Sequence, residues 1–189
     1  LTNFCHFNIM QSLLHFLQVS QRSFPAVAQP PLVQSMHLLN DASSTILTPL
    51  FEEAEVQVGK IFLQMHTGKT FALYTQDPRT ASASLPDEPS PYVSLLHRLC
   101  YSCNGVVNLC TPSHQLSSFI RRFAFSVLEL FVCHLCLVRP LTDQGRAAMM
   151  KDIAGVEAAL SQLSPTRLLG ASAHTILRCM KTLLFLTGK

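Results

Sequence analysis

The chain has no tryptophan and few charged residues. Only 13% of its 189 residues are Asp, Glu, Lys or Arg, about half the share typical of soluble domains, whereas 48% are apolar. This composition excludes disorder along most of the chain, because disordered segments combine low hydrophobicity with high charge. It favours a protein that buries much of its surface, part of it against other protein.

Positive charge is scarce as well. The formal net charge is +3, and Arg121 and Arg122 are the only adjacent basic pair. No aromatic residues alternate with Lys or Arg to form a surface on which bases could stack. The sequence therefore predicts no nucleic-acid partner.

Cysteines are present in an odd number, seven, without the regular spacing of a disulfide framework. This pattern is typical of reduced thiols in the cytosol. Two Cys-x-x-Cys pairs, Cys100 with Cys103 and Cys133 with Cys136, supply the four thiols that a tetrahedral zinc site requires. Both pairs lie in predicted helices rather than in polar, Gly-containing turns, so a zinc-stabilised helical module is kept only as an alternative.

No catalytic pattern emerges from the remaining residues. Gly68, Lys69 and Thr70 resemble the end of a phosphate-binding loop, but Leu63 stands where that motif needs glycine. The eight histidines show no metal-binding spacing, and His134 is expected to be a hydrogen-bonded core residue. We predict no catalytic, cofactor-binding or metal-binding residue, no small-molecule substrate, and no enzymatic activity.

Apolar residues recur at helical spacing through most of the chain, and no run alternates as a strand would. This predicts an all-α fold, an antiparallel bundle of about six helices. Pro49 either opens a second helix after Thr48 or kinks one continuous helix. Ser113 and Asp143 are candidate N-caps. Helices are predicted at residues 1–19, 32–66, 92–110 and 116–138. Two more helices are predicted to begin at residues 143 and 164.

Three regions are predicted along the sequence. Residues 1–66 form N-terminal helices that continue from a longer chain, because the sequence begins inside an apolar pattern without methionine. Residues 67–91 contain four prolines and many Ser and Thr, which is typical of a flexible loop. Residues 92–189 form a helical bundle.

Residues 119–138 are twenty in number and very apolar, so a membrane span has to be considered. They include Arg121, Arg122, Glu129 and His134. A charge at the centre of a span costs roughly 2.5–3.5 kcal/mol, so we expect a buried core helix instead. A small membrane-inserted protein using 119–138 stays an alternative.

Residues 127–160 are the most distinctive stretch: an apolar helix ending in ELFVCHLCLVRPL (129–141), a turn at Gly145 and Arg146, then MKDI (150–153) and EAAL (157–160). Further matches lie at FLQMH (62–66), SPYVSLL (90–96) and ILRCMKTLLF (176–185). In this order the segments resemble subunit 5 of the conserved oligomeric Golgi (COG) complex, a vesicle tether.

The resemblance implies a rod-like, non-enzymatic tether subunit on the cytosolic face of the Golgi membrane, peripherally bound and acting in retrograde transport within the Golgi. It implies other COG subunits as partners, with SNAREs and small GTPases as further candidates. Partner surfaces are expected to be exposed apolar stripes, especially at Leu184, Phe185 and Leu186.

Overall fold

The computed structural model describes residues 2–75, 88–163 and 171–186, with side chains described for 4–75, 88–163 and 175–184. Every regular element within these ranges is helical, so the all-α prediction is confirmed. The α-helices are α1 (Thr2–Ser20), α2 (Gln29–Leu63), α3 (Gly68–Thr75), α4 (Pro91–Val107), α5 (His114–Leu137), α6 (Asp143–Leu163) and α7 (Ala171–Leu186). Short 3-10 turns occupy Gln21–Ser23, Ala26–Ala28 and Gln64–His66.

The described residues contain one α-helix more than the predicted six, because the predicted loop begins with a helix. Helix α3 occupies Gly68–Thr75, and residues 76–87 lie outside the described part of the chain. Gly68 has a φ of 53°, a conformation that glycine adopts without strain, and it lets the chain turn from the 3-10 turn at Gln64–His66 into α3. Tyr74 then anchors α3 because its side chain is fully buried.

Helix α2 runs without interruption through Pro49, which resolves the choice left open by the sequence. A proline inside a helix removes one backbone hydrogen bond. Buried apolar side chains on both sides of it, among them Leu47 and Phe51, compensate for that loss by packing.

The chain divides into two compact units. The first comprises Leu1–Glu53 with Gly105–Phe119, and the second comprises Ala54–Asn104 with Ile120–Lys189. In the first unit, α1 buries Phe7 and Leu14, and the rings of Phe51 and Phe119 stack with centroids 5.5 Å apart.

The core of the second unit is built around Phe62. Its ring centroid lies 5.4 Å from that of Phe131 and 6.0 Å from that of Tyr92. Helices α5 and α6 contribute further fully buried aliphatic side chains to this unit, including Leu128, Met149, Ile153 and Val156.

The corner between α5 and α6 follows the predicted pattern of an apolar helix, a stop and an amphipathic helix. The N-cap of α6 is Thr142 and not Asp143, since the Thr142 hydroxyl accepts from the Gly145 N–H at 3.0 Å. Asp143 instead lies in the first turn and pairs with Arg146 at 2.7 Å. The predicted cap of α5 is confirmed, because the Leu116 N–H donates to the Ser113 hydroxyl at 3.1 Å.

Candidate docking surface and buried polar clusters

Asp152 is the most deeply buried charged residue that the structure describes, with 1% of its surface exposed. Its Oδ1 accepts from the backbone N–H of Ser90 at 2.7 Å, and its Oδ2 accepts from the Ser90 hydroxyl at 2.7 Å. The Tyr92 hydroxyl donates to Oδ2 at 3.1 Å, and the Tyr74 hydroxyl donates to the same oxygen. One carboxylate on α6 therefore connects α3, the residue before α4, and α4.

The environment of this cluster keeps both phenols protonated. Burial, followed by the Asp152 carboxylate, raises the pKa of Tyr74 far above its ordinary value of 10. Burial, followed by the electrostatic influence of the neighbouring Tyr74 and Asp152 side chains, raises the pKa of Tyr92 as well. Protonated hydroxyls donate to the carboxylate and compensate for its removal from water, so the cluster acts as a structural latch.

The backbone of Tyr74 is held in place by a second set of hydrogen bonds. Its carbonyl oxygen accepts from the Thr142 N–H at 3.0 Å and from the Thr142 hydroxyl at 3.2 Å. Gly145 lies directly against this carbonyl, and a Cβ added there would lie 2.8 Å from the Cα of Tyr74. Helices α3 and α6 therefore approach as closely as they do because residue 145 has no side chain.

His134 lies on α5, where its ring contacts that of His66. The Nδ1 of His134 and the Nε2 of His66 are 2.9 Å apart, and the Phe62 ring centroid lies 6.1 Å from that of His134. Burial, followed by the neighbouring His66, lowers the pKa of His134 below 6.5. The expectation that His134 is a hydrogen-bonded residue is confirmed, although its side chain is only half-buried.

The two Cys-x-x-Cys pairs lie in different environments. Cys100 and Cys103 are buried on α4, whereas Cys133 and Cys136 are exposed on α5. Burial, followed by Cys103, raises the pKa of the Cys100 thiol to about 12, so this thiol is protonated at neutral pH. Within the described ranges, no group of three or more His, Cys, Asp or Glu side chains is arranged to hold a metal ion.

Helix α5 contains the segment considered as a membrane span. Its buried side chains include Phe123, Val127 and Phe131, as expected for a core helix, while Glu129 is exposed. Leu130, which lies at helical spacing from Val127 in the sequence and was expected to be buried on the same side, is only half-buried. Among the helices that the structure describes, none combines the length and apolar character needed to cross a membrane.

The predicted partner surface at the end of α7 is not exposed where the structure describes it. Leu184 is buried, and the side chains of Phe185 and Leu186 lie outside the described residues. Ser164, predicted to open the last helix, also lies outside them; α7 begins at Ala171.

An exposed apolar surface that the sequence interpretation missed lies on α1. Ile9, Leu13 and Phe16 are exposed. Their spacing of four and three residues places them together on one side of the helix. We call these three residues the α1 stripe. Residues 1–21 contain no Asp, Glu, Lys or Arg, and this absence is the sequence signal from which the exposed apolar surface could have been predicted.

A groove of about 680 Å³ lies in the first unit, along another side of α1. Its walls carry amides, hydroxyls and imidazoles, with no Asp, Glu, Lys or Arg side chain among them. The residues that line it are Gln11, Ser12, Leu14, His15, Gln18, Asn40, Thr111, Pro112, Ser113, His114 and Gln115.

The sequence is similar to three curated relatives, all named conserved oligomeric Golgi complex subunit 5. It is 30% identical over 173 residues to the protein from Arabidopsis thaliana, 24% over 187 residues to that from Mus musculus, and 24% over 182 residues to that from Drosophila melanogaster. These alignments cover 86%, 97% and 95% of this chain but 20%, 22% and 23% of the relatives. The chain thus spans about a fifth of the length of the curated relatives it matches.

No family model and no solved structure matches the chain. The family assignment therefore depends on the three sequence alignments, which agree on one subunit in a plant, a mammal and an insect. The predicted resemblance is confirmed: over nearly its whole length, this chain is a relative of one segment of conserved oligomeric Golgi complex subunit 5.

Proposed function

We propose that the chain serves as a non-enzymatic part of a Golgi vesicle-tethering complex and works by docking its helices onto sibling subunits. The observation that carries this proposal is the alignment of 86–97% of the chain with the same named subunit in three organisms. Transport within the Golgi in the retrograde direction is the process we assign to it.

The distribution of polar groups supports docking over chemistry. In the second unit, Tyr74, Ser90 and Asp152 are joined in a buried hydrogen-bonded latch, and burial raises the pKa of the Tyr74 and Tyr92 phenols, so these phenols stay protonated. Large apolar side chains remain at the surface of the first unit, a feature typical of proteins that associate with other proteins. We accordingly propose no catalytic residue.

We place the protein at the cytosolic face of the Golgi membrane as a peripheral component. Seven free cysteines suit a reducing compartment. SNAREs and small GTPases are further partners that we propose from the family resemblance, after the sibling subunits.

Pairwise co-expression tests the proposal. The tagged chain is expressed with each other subunit of the complex in turn, and with a helical subunit of an unrelated tether as control. We expect one or two siblings to copurify in stoichiometric amounts, and the unrelated subunit to be absent. Binding to no sibling, or equal recovery of the unrelated subunit, would contradict the proposal.

Alkaline carbonate extraction of Golgi membranes tests the mode of attachment. A peripheral component is released into the supernatant, because its membrane contact depends on protein partners. Retention in the pellet together with a known membrane-spanning protein would favour the inserted alternative built on residues 119–138.

A further inference from the structure

Ser90 is a buried serine between two prolines. Its side chain is 6% exposed, whereas Glu88, Pro89 and Pro91 beside it are exposed. It lies just outside α4, which begins at Pro91. Because a proline disfavours helical geometry in the residue before it, an extended backbone is favoured at Ser90. A serine followed by proline in an extended segment is the substrate form that proline-directed protein kinases accept.

The sequence contains four dipeptides in which a hydroxyl residue precedes proline, beginning at Thr48, Ser90, Thr111 and Ser164. Thr48 lies inside α2, in a helical rather than an extended backbone, and Ser164 lies outside the described residues. Thr111 is exposed in the first unit, where its hydroxyl donates to the Asn8 side chain at 3.1 Å. Ser90 differs from Thr48 and Thr111 because its hydroxyl contacts a buried carboxylate.

The Ser90 hydroxyl lies where added negative charge is opposed. Its Oγ is 2.7 Å from the Oδ2 of Asp152 and 3.1 Å from the Tyr74 hydroxyl. Asp152 accepts its hydrogen bonds from three hydroxyls and one backbone N–H, and none of these donors carries a positive charge. A phosphoserine carries about −1.5 to −2 charges at pH 7, so it would face the carboxylate at close range without a cation among these partners.

Close packing leaves a phosphoryl group no space inside the latch. The side chains that hydrogen-bond Ser90 are at most 1% exposed. Gly155 lies one turn after Asp152 on α6, and a Cβ added to it would be 2.5 Å from the Cγ1 of Val93. The segment that contains Ser90 therefore packs closely on α6, and a phosphorylated Ser90 has to leave it.

We propose that Ser90 is a phosphorylation site for a proline-directed protein kinase, and that its phosphate opens the Asp152 latch by separating Ser90 from α6. The Ser90 Oγ attacks the γ-phosphorus of ATP, the bond from that phosphorus to the β,γ-bridging oxygen breaks, and ADP leaves. The hydroxyl proton passes to a base of the kinase. This modification goes beyond the proposed tether function and does not depend on it.

Access to Ser90 comes from local opening of the latch. The residue lies at the border of α4 between exposed neighbours, and the ends of elements open locally without unfolding the whole domain. Once phosphorylated, Ser90 cannot return to Asp152, so the modification retains the open form.

Phosphorylation of the folded full chain tests the site. The chain is incubated with ATP and a recombinant cyclin-dependent kinase, and mass spectrometry follows phosphate at Ser90 and at Thr111, the exposed reference site. We expect Ser90 to be modified more slowly than Thr111. In Asp152→Asn, which weakens the latch, Ser90 should react at least about threefold faster while the Thr111 rate stays unchanged.

Absence of phosphate at Ser90 in the wild type would overturn the site. Equal Ser90 rates in the wild type and Asp152→Asn, or an increase that Thr111 shares equally, would show that the latch does not control access.

Thermal melting tests the consequence for the fold. Kinase-treated wild type is compared with kinase-treated Ser90→Ala, in which the other hydroxyl residues that precede proline are unchanged. Full modification should lower the melting temperature of the wild type by about 4 °C or more, and treatment should change that of Ser90→Ala by about 1 °C or less. Ser90→Glu, which adds a charge without a kinase, should melt below Ser90→Ala. Equal shifts in the two treated chains, or equal melting of the Glu and Ala variants, would overturn the opening of the latch by charge.

Discussion

The Nε2 of His66 and the Nδ1 of His134 are 2.9 Å apart, so one imidazole N–H donates to the ring nitrogen of the other. This bond connects the 3-10 turn after α2 to α5. It requires at least one of the two facing nitrogens to be unprotonated.

This pair makes folding sensitive to acid. Burial and then His66 lower the pKa of His134 in the folded protein below its ordinary 6.5, so the unfolded chain takes up the proton first as the pH falls. The free energy of unfolding therefore decreases as the pH falls through 6.5 and then through the lower folded pKa, and it is fully retained above 6.5.

Urea denaturation at pH 7.5 and pH 5.5 measures this loss. We expect a smaller difference between the two pH values in His134→Gln than in the wild type. His37→Gln, at an exposed position, serves as control and should keep the wild-type difference. An unchanged pH dependence in His134→Gln would show that other groups produce it.

Removing the Asp152 carboxylate should destabilise the protein strongly. Asp152→Ala leaves the Ser90 N–H without its acceptor and three hydroxyls with fewer partners, for an expected loss of about 2–4 kcal/mol. Asp152→Asn keeps one carbonyl acceptor, so its loss should be smaller.

Urea unfolding monitored by circular dichroism measures both values. Asp41→Asn, at an exposed position on α2, is the matched control and should change stability by less than about 0.5 kcal/mol. A urea midpoint for Asp152→Ala equal to that of the wild type would contradict the stabilising role of the latch.

Two glycines in helices should respond to alanine in opposite directions. Gly145→Ala drives a methyl group into the backbone of Tyr74, which has no flexible end that could move aside, so we expect a loss of about 1–3 kcal/mol. Gly105→Ala has open space around it and should gain about 0.4–1 kcal/mol. Comparing the thermal melting of the two variants with that of the wild type gives the sign of each change in stability. An unchanged melting temperature for Gly145→Ala would mean that α3 and α6 are farther apart.

The seven thiols should fall into two kinetic classes with a thiol-reactive disulfide reagent at pH 8. Four exposed cysteines should react rapidly, and three buried ones only upon unfolding, because burial raises their pKa and blocks the reagent. The rapid class is Cys5, Cys133, Cys136 and Cys179, and the slow class is Cys100, Cys103 and Cys110.

Mass spectrometry after short labelling identifies which sites have reacted. Protection of Cys133 and Cys136 that a chelator removes would revive the zinc-stabilised alternative.

The α5–α6 corner could be predicted because its signals are local. Apolar spacing defines α5, Pro140 follows its end, and polar residues separate it from α6. The N-cap was misplaced by one residue because Thr142 and Asp143 have similar capping preferences, and only the packing of Thr142 against Tyr74 decides between them.

The latch could not be predicted because its members are distant in sequence. Asp152 is separated from Ser90, Tyr92 and Tyr74 by 62, 60 and 78 residues. An aspartate on an amphipathic helix normally faces water, so nothing local indicates that this one is buried.

The orientation of α1 was undetermined for a different reason. The leucine spacing predicts that α1 is helical. Because α1 carries apolar residues on two sides, the spacing does not tell which side faces the core. Hydrogen bonds from Asn8 and Gln11 decide it, and their partners lie elsewhere in the sequence.

The Asp152 latch also has a consequence for how this protein tolerates change in length. The hydroxyls of Tyr74 and Ser90 lie 3.1 Å apart on the same carboxylate, so the two borders of the intervening sequence are held together independently of what joins them. Doubling the number of residues between two fixed ends costs only about 0.6 kcal/mol of loop-closure entropy. An epitope tag or a fluorescent reporter inserted between Thr75 and Glu88 should therefore leave the helices in place, and this position is the natural one for following the protein in living cells.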